Sequence, residues 1–227
     1  MSRLELTPLA QLGAGFGGGF EIGITTIVDA RHALQPEEAQ AVEHVTEARM
    51  REFSTGRAVA HELLLRLGVT RPVVGRSLDR SPNWPAGCVG SIAHTARLCI
   101  VVAARGTDYR SVGVDIEPAE PLERELFQTI AVDDELRQFP AGSRAIDARR
   151  LFVAKEAAYK CLHPVTGVFL DFHDVFVTFD GAHFVAAVRH PEIQEFEVDG
   201  VLHEHDGHFI ALAALPVVSA TPRSGRS

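Results

Sequence analysis

The chain has 227 residues and a formal net charge of −8 at pH 7. Hydrophobic residues make up 46% and charged residues 23%, which is the balance of a folded globular protein rather than a disordered one. The negative charge disfavours a general nucleic-acid binder, because such proteins neutralise phosphates with an excess of Lys and Arg. Three scattered cysteines, Cys88, Cys99 and Cys161, indicate neither a disulfide framework nor a CxxC zinc site. We expect a folded, cytoplasmic protein without a signal peptide or a membrane-spanning segment.

The first half of the chain predicts a strand, a helical stretch, a loop and another strand. Residues 20–28 are apolar and β-branched, which is typical of a strand. From residue 36 to residue 67, apolar side chains recur every three or four positions, which predicts one or two helices interrupted near Ser54-Thr55-Gly56. Residues 72–93 carry many Pro and Gly residues and are interpreted as a loop. The apolar run 98–104 predicts a buried strand.

The second half follows a similar order. Residues 111–117 predict a strand that ends at Pro118, and residues 144–162 predict a second long helix. Four predicted strands follow at 175–179, 183–188, 195–202 and 208–215, with Gly181, Gly200 and Gly207 near the turns between them. This order indicates an α+β fold with two similar halves that meet near residue 110. We place the N-terminal half at 1–109, the C-terminal half at 110–215 and a flexible tail at 216–227.

Two short motifs resemble ligand sites but have simpler explanations. Gly13-x-Gly15-x-x-Gly18 matches the dinucleotide-binding pattern, yet that motif needs a strand before it and a helix after it, and here a strand follows. We interpret it as a flexible lead-in. Three histidines around Asp206-Gly207 form a candidate zinc site. Because an Asp-Gly pair between two predicted strands is typical of a hairpin, a solvated turn is the simpler interpretation.

Three groups of charged residues have spacings that suit phosphate chemistry. Asp115 and Glu117 stand two apart on a predicted strand, so their carboxylates share a face that suits Mg²⁺ or is simply solvated. Glu156 and Lys160 stand four apart on a predicted helix, either as a surface ion pair or as a third carboxylate and an ammonium beside the strand pair. Arginine forks bind phosphate oxygens, although a solvated helix face shows the same pattern. The arginines concerned are Arg49, Arg51, Arg57, Arg76 and Arg80.

These groups fall within longer motifs that occur in a fixed order between about residues 45 and 180. The motifs are Glu52-Phe-x-x-Gly-Arg57, Pro82-x-Trp-Pro-x-Gly-x-x-Gly-Ser91-x-x-His94-Thr95, Gly113-Val-Asp-Ile-Glu117 and Phe152-x-x-Lys-Glu-Ala-x-Tyr-Lys160. In this combination they resemble the 4′-phosphopantetheinyl transferases of the surfactin and enterobactin synthase type. The last two motifs, about forty residues apart, are specific as a pair.

The resemblance implies an enzyme that transfers the 4′-phosphopantetheine arm of coenzyme A (CoA) to a serine of a carrier protein and releases adenosine 3′,5′-bisphosphate. It implies a pseudo-dimer fold, in which each of the two α+β halves is a small antiparallel sheet packed with a long helix. It also implies a cytoplasmic monomer that serves acidic carrier proteins of fatty-acid, polyketide or nonribosomal peptide synthases, with no nucleic-acid or membrane partner. The implied metal is Mg²⁺, with Mn²⁺ as a substitute, held by Asp115, Glu117 and Glu156. The implied catalytic residues are Glu156 and Lys160. The implied CoA-binding residues are Arg49, Arg57, Arg80, Ser91, His94, Asp115, Lys155 and Lys160.

Two other functions use parts of the same pattern. A non-catalytic CoA- or nucleotide-binding module would keep the fold, but it has no need for a complete set of three carboxylates and a lysine. A metal-dependent phosphohydrolase would use the carboxylates, but it has no need for a separate group of arginines. The sequence leaves open which carrier is served. It also leaves open whether Glu156, Lys160 or a metal-bound water accepts the serine proton.

Overall fold

The computed structural model describes residues 6–8, 12–13, 16, 18–193 and 196–217. Gly15 of the glycine-rich motif, Glu195 at the start of a predicted strand and tail residues 218–227 lie outside this part of the chain. Within it, no helix is both long enough and apolar enough to cross a membrane.

The first half contains a four-stranded antiparallel sheet with a long helix packed on it. In chain order, its elements are β1 (Thr7–Pro8), β2 (Phe20–Thr26), α1 (Pro36–Ala39), α2 (Glu47–Arg66), β3 (Gly75–Arg76), β4 (Pro82–Asn83), β5 (Cys88–His94) and β6 (Leu98–Arg105), with 3₁₀ turns at Arg31–Ala33 and Gln40–Val42. The strand order in the sheet is β1-β2-β6-β5. Strands β3 and β4 form a separate two-stranded hairpin.

The second half contains a five-stranded antiparallel sheet and a second long helix. Its elements are β7 (Tyr109–Pro118), α3 (Phe127–Ile130), α4 (Asp133–Arg137), α5 (Arg144–Thr166), β8 (Val175–Asp180), β9 (His183–Val188), β10 (Phe196–His205) and β11 (His208–Pro216), with 3₁₀ turns at Arg124–Leu126 and Phe172–Asp174. The strand order is β7-β11-β10-β9-β8. The predicted α+β class is confirmed, and the pseudo-dimer relation between the halves stays a prediction.

Alternate residues of the strands pack into different apolar cores. Ile100 and Val102 of β6, Val114 of β7 and Ile210 and Leu212 of β11 join one cluster that both halves share. The residues between them pack against the two long helices, with β6 facing α2 and β11 facing α5. The halves meet along β5 and β7. The period-2 alternation of a strand therefore decides which β7 side chains face α5.

The predicted interruption of the first helix is wrong, because α2 is continuous for 20 residues. The Thr55 hydroxyl accepts a hydrogen bond from the Val28 amide at 3.0 Å and donates one to the Val28 carbonyl at 2.8 Å. The Ser54 hydroxyl accepts from the Ala30 amide at 3.2 Å. A Cβ atom at Gly56 would lie 3.0 Å from Ile92 Cγ2 on the sheet. The polar and small residues at 54–56 therefore make tertiary contacts and do not break the helix.

Two further expectations from glycine and proline are wrong. The segment 72–93, interpreted as a loop, ends in β5, whose Gly90 lies under Trp84 and the Val102 carbonyl, where a Cβ atom would come within 2.6 Å of each. Gly200 lies inside β10 rather than at a turn, because the Phe184 ring occupies the space of a side chain there. These glycines mark close packing.

The end of the C-terminal half also differs from the expectation. Strand β11 continues to Pro216, the first residue of the predicted tail. The Val217 amide then donates a hydrogen bond to the Asp108 carbonyl at 2.8 Å. The first two residues of that segment are therefore tied to the fold.

Candidate active site

Asp115 and Glu117 lie on the face of β7 that packs toward α5. Their neighbours on the strand point the other way, into the core that both halves share. Gly113 lets the helix approach, because a Cβ atom there would lie 2.0 Å from the Ala157 carbonyl oxygen of α5. Asp115 is buried, and its Oδ1 atom accepts a hydrogen bond from Lys160 Nζ at 2.5 Å. The Gly-Val-Asp-Ile-Glu motif thus brings two carboxylates against the second long helix.

The carboxyl groups of Asp115, Glu117 and Glu156 share one electrostatic environment. Burial raises the pKa of each of the three carboxyl groups above the ordinary value for its residue type. Repulsion from Asp115 raises the pKa of Glu117 further, and both of these carboxylates raise the pKa of Glu156. The Lys160 ammonium opposes these effects at each group. The structure therefore brings these three carboxylates and Lys160, which we call the acidic site, into mutual range.

The cations at the acidic site are arranged differently from a simple helix-surface pair. Lys160 bonds to Asp115 on β7, so the predicted alternative of a Glu156–Lys160 surface ion pair is not what forms. Arg149 Nη1 lies 3.5 Å from Glu117 Oε2, and Arg149 Nε donates to the Glu120 carbonyl at 3.3 Å. Arg149 was not among the site residues predicted from the sequence. Its spacing of seven residues from Glu156, which is two helical turns, was the signal available.

The acidic site fits a divalent cation in its chemistry. Asp115 Oδ2 is buried and has no hydrogen-bond partner, an uncommon state for a carboxylate oxygen that a bound cation would relieve. All-oxygen donors suit Mg²⁺. However, no group of three or more His, Cys, Asp or Glu within the described ranges has the spacing of a preformed metal centre. The ligand set is therefore chemically suitable but not closed around one point.

Four of the expected phosphate-binding residues surround one small cavity of about 140 Å³, which we call the arginine cavity. Its charged and polar lining residues are Arg49, Glu52, Arg57, Arg76, Arg80 and His94. Arg51 is not among them, because its Nη2 atom donates to the Ile27 carbonyl at 3.2 Å. Arg49 and Arg57, eight residues apart on α2, do reach the same cavity, as their spacing predicts.

Arg57 is the buried member of the arginine cavity. Its Nη2 atom donates to the Gly75 carbonyl at 2.9 Å, and its guanidinium carbon lies 4.3 Å from the centre of the Phe53 ring. Its Nε atom is buried without a hydrogen-bond partner. Burial lowers the pKa of Arg57 to about 10. A buried guanidinium with unused donors is suited to an anionic ligand.

His94 connects the arginine cavity to the acidic site electrostatically. Arg49 Nη1 lies 3.0 Å from His94 Nε2 and also donates to Glu52 Oε2 at 3.1 Å. Because an arginine only donates, His94 Nε2 accepts, which requires a neutral imidazole. Burial lowers the pKa of His94, and although Glu52 opposes this, the charges of Arg49 and Lys160 add to it.

A larger cavity of about 710 Å³ lies between the two halves, and we call it the central cavity. The first half contributes Arg80, Trp84 and Ser91, and the second half contributes Arg110 and Lys160. Its volume is within the range of small-molecule and cofactor sites. Arg80 lines both cavities and adopts a φ of 72°, a strained conformation for a residue other than glycine. The central cavity therefore joins the two charged regions, since Lys160 also bonds to Asp115.

Each half of the chain matches a model of one protein family. Residues 37–104 match the 4′-phosphopantetheinyl transferase N-terminal domain, and residues 111–213 match the 4′-phosphopantetheinyl transferase superfamily. The chain belongs to this superfamily.

Curated relatives of this superfamily align with about half to two thirds of the chain. Over 152 residues, the chain is 36% identical to 4′-phosphopantetheinyl transferase Svp of Streptomyces mobaraensis, which covers 65% of this chain and 61% of the relative. It is 36% identical over 147 residues to 4′-phosphopantetheinyl transferase PptT of Mycobacterium tuberculosis, covering 64% and 65%. It is 36% identical over 116 residues to enterobactin synthase component D of Salmonella typhi, covering 49% and 47%. The chain thus spans less than two thirds of the length of these relatives.

In this member of the superfamily, Lys155 does not belong to the CoA-binding set that the sequence analysis expected. Its side chain is 1% exposed, and its Nζ atom donates to Glu135 Oε2 at 2.7 Å, to the Ile130 carbonyl at 2.8 Å and to the Phe172 carbonyl at 2.7 Å. An ammonium has three donors, and all three are used. We therefore correct that expectation, since none is left for a phosphate.

The histidines at 203–208 form the predicted hairpin. His205 pairs with His208 across β10 and β11, and both turn residues, Asp206 and Gly207, have positive φ values of 47° and 68°. His208 Nδ1 donates to the Asp206 carbonyl at 2.8 Å. No cluster with metal-ligand spacing is found here or elsewhere among the residues described. The predicted hairpin turn is therefore confirmed, although His208 itself is buried.

Proposed function

We propose that the protein transfers the 4′-phosphopantetheine arm of CoA to a serine of a carrier protein and releases adenosine 3′,5′-bisphosphate. The observation that carries this proposal is the connection between the three regions of the site. Arg80 lines both the arginine cavity and the central cavity, and Lys160 lines the central cavity while it bonds to Asp115. One ligand with two separate phosphate groups, such as the 3′-phosphate and the pyrophosphate on either side of the CoA ribose, would contact all three regions.

In this proposal, the arginine cavity holds the 3′-phosphate of CoA. Arg49, Arg57 and Arg80 supply guanidinium donors, and His94 supplies an imidazole. Each charge-assisted hydrogen bond to such a phosphate contributes about 1.5–3 kcal/mol. Ser91 lines the central cavity, where the rest of CoA would lie.

The acidic site performs the transfer. A divalent cation, Mg²⁺ or Mn²⁺, held by Asp115, Glu117 and Glu156 would stabilise negative charge on the pyrophosphate. Lys160 donates hydrogen bonds to oxygens that gain charge as the phosphorus is attacked. Glu156, whose carboxylate lies at the acidic site, accepts the proton of the carrier serine.

The proposal extends to the partners and to the organisation of the chain. The acceptors are acyl or peptidyl carrier proteins of fatty-acid, polyketide or nonribosomal peptide synthases. The protein acts on them as a monomer in the cytoplasm. We place the boundary between the halves near residue 109, and this is supported by the end of β6 at Arg105 in one sheet and the start of β7 at Tyr109 in the other.

Intact-mass measurement of a purified carrier protein tests the reaction. With CoA and Mg²⁺, we expect the mass of the carrier to increase by one phosphopantetheine. Glu156→Gln should lower turnover at least about a hundredfold, or about 3 kcal/mol in the barrier, because the proton acceptor is lost. The matched control is Glu125→Gln, whose side chain is exposed. Cleavage of CoA without a gain of mass would indicate a phosphohydrolase. Binding of CoA without either product would indicate a non-catalytic module.

Removal of the cation tests the metal assignment separately. Excess EDTA should abolish transfer, and added Mg²⁺ or Mn²⁺ should restore it. Asp115→Ala and Glu117→Ala should also abolish transfer while their circular dichroism spectra stay native, because ligands are lost without a change in the core. Full activity in EDTA or in either variant would overturn the assignment.

A further inference from the structure

Glu38 is a fully buried carboxylate on the short helix α1, outside the site described above. His61 Nε2 of α2 donates to its Oε1 atom at 2.7 Å. The Val74 amide donates to the same oxygen at 2.8 Å, and the Gln35 amide donates to Oε2 at 2.9 Å. Burial tends to raise the pKa of Glu38, but these hydrogen bonds outweigh it and hold the pKa below its ordinary value. Glu38 is therefore a charged group within the first half.

The contacts of Glu38 lead directly to the arginine cavity. Val74 precedes Gly75, whose carbonyl accepts the hydrogen bond from Arg57 Nη2 at 2.9 Å. Gly75 is also the first residue of β3, and the hairpin that begins there carries Arg76 and Arg80 to the cavity wall. Fixing the Val74 amide therefore fixes the carbonyl that orients Arg57 and the base of the hairpin.

The negative charge of Glu38 also stabilises the charged form of Arg57 in the arginine cavity. Burial lowers the pKa of Arg57, the charge of Glu38 opposes this, and the charges of Arg49 and Arg76 add to it. Glu38 is thus an inner counter-charge for a guanidinium that carries few hydrogen bonds of its own. A bound phosphate would complete the set of partners from the open side.

We propose that Glu38 is a positioning residue of the arginine cavity, and that it enables this cavity to distinguish a ligand with a 3′-phosphate from one without it. Glu38 does not touch the phosphate. It acts through Val74 and Gly75 on Arg57, and His61 holds it in place. This inference rests on the proposed function, because the 3′-phosphate is the group that the arginine cavity is proposed to bind.

The neighbouring residue Glu37 provides a matched control. It lies on the same helix, and its Oε1 atom pairs with Arg71 at 2.5 Å, with both side chains more than half exposed. Glu37→Gln and Glu38→Gln therefore make the same chemical change one residue apart. Exposed pairs of this kind contribute little to stability.

Calorimetric binding of adenosine 3′,5′-bisphosphate and of adenosine 5′-monophosphate gives the first test. We expect the wild type to bind the bisphosphate at least about tenfold more tightly than the monophosphate. Glu37→Gln should keep this ratio of affinities, and Glu38→Gln should bring it close to one. His61→Gln, which removes one partner of Glu38 and leaves the carboxylate, should lower the ratio to an intermediate value. In transfer assays, Glu38→Gln should raise the KM for CoA and leave kcat with dephospho-CoA within about twofold of the wild type.

Amide hydrogen exchange at Val74 gives a second test that needs no ligand. We expect exchange there to accelerate in Glu38→Gln and to stay unchanged in Glu37→Gln. Unchanged ligand ratios in Glu38→Gln and His61→Gln would overturn the inference, even if both variants melt earlier. Equal binding of both nucleotides by the wild type would instead overturn the phosphate assignment of the arginine cavity. Faster Val74 exchange would then still support the link from Glu38 to the hairpin.

Discussion

Arg57 is the residue at which burial and charge are most directly opposed. Burial lowers its pKa from an ordinary 12.5 to about 10, which disfavours the charged form by about 3 kcal/mol in the folded protein. At pH 7, below both values, this cost is fully present, and it is relieved only as the pH rises above about 10. The hydrogen bond to Gly75 and the contact with Phe53 offset about 2 kcal/mol of it.

We therefore expect Arg57→Met to raise the melting temperature by about 2–4 °C, because about 1 kcal/mol of net destabilisation is removed. The same variant should lose most of its preference for CoA over dephospho-CoA in kcat/KM. Thermal melts and transfer rates measure the two effects, with exposed Arg97→Met as the control. A large fall in melting temperature would show that the guanidinium is mainly a structural clamp.

His94 gives the site a dependence on pH. Burial and the charges of Arg49 and Lys160 lower its pKa below the ordinary value, so the neutral imidazole is favoured at pH 7. A bound phosphate favours the charged form, so its binding should strengthen as the pH falls from 7 to 5.5 and should take up a proton. Calorimetry of adenosine 3′,5′-bisphosphate in buffers with different ionisation enthalpies measures this uptake. It should vanish in His94→Gln, and persistent uptake there would assign the proton to another group.

The sequence predicted part of the acidic site because a strand has a fixed period. Residues that are two apart on β7 lie on the same face of the sheet, so the shared orientation of Asp115 and Glu117 followed from their spacing alone. The position of Lys155 did not follow, because adjacent residues on a helix point about 100° apart, and the Lys155 ammonium binds Glu135 rather than a group of the acidic site. No periodic signal leads to Glu135, the buried partner of Lys155, because it lies on a separate short helix.

At the scale of elements, the contact between β7 and α5 depends on Gly113. A Cβ atom there would lie 2.0 Å from the Ala157 carbonyl oxygen and 2.5 Å from the Cys161 amide nitrogen, and backbone atoms cannot move aside. We expect Gly113→Ala to destabilise the protein by about 3 kcal/mol or more and to reduce transfer in the remaining folded protein, because α5 carries Glu156 away from Asp115. Urea denaturation and transfer rates check this.

Gly142→Ala is the control for that substitution, because no atom lies within 4 Å of its Cβ position. Its free energy of unfolding should stay close to that of the wild type. Wild-type stability of Gly113→Ala would contradict the packing of β7 against α5.

The buried Lys155–Glu135 pair ties α5 to α4. Glu135 Oε1 also accepts from the Val177 amide at 2.8 Å, so the pair fastens β8 as well. We expect Lys155→Met to cost about 3–5 kcal/mol, because it leaves a buried carboxylate uncompensated. Adding Glu135→Gln should recover part of this loss, and the urea midpoints of both variants measure it. If Lys155 bound CoA instead, the single variant would keep its stability and raise the KM for CoA.

Strand β5 shows why an element escapes prediction from sequence. Its Gly90 and the prolines before it are typical of a loop, yet Gly90 lies within the strand, where Trp84 and the Val102 carbonyl leave no room for a side chain. The long helices and the C-terminal strands could be predicted from apolar periodicity. The helices are buried on one side, and the strands bury alternate residues. Close approach between backbone segments leaves no periodic pattern in the sequence. Strand β5, which lines the central cavity, was therefore not predicted.

For the whole molecule, the net charge of −8 should act on the partners in opposite directions. An acidic carrier protein is repelled at long range, so its KM should fall as salt rises from about 10 to 150 mM and the Debye length shrinks from about 30 to 8 Å. The KM for CoA should rise over the same range, because the arginine cavity attracts its phosphates. Steady-state kinetics measure both trends. A carrier KM that rises with salt would instead indicate a basic docking patch.

The order of the elements predicted two α+β segments, but their association did not follow from sequence. Alternation shows that Val102 and Val114 are buried, and it does not show that they join one core across two sheets. That association needs distances between residues of different halves, which a periodic pattern does not contain.

The core shared by β6, β7 and β11 has a consequence for recombination between relatives. The gap between the two family matches, from 104 to 111, is where a designer of chimeric proteins would naturally exchange halves. A crossover there separates Ile100 and Val102 from Val114, Ile210 and Leu212, which touch across it. Functional hybrids would have to inherit both faces of this contact from one parent, so a single tolerated crossover should lie outside the segment from Ile100 to Leu212.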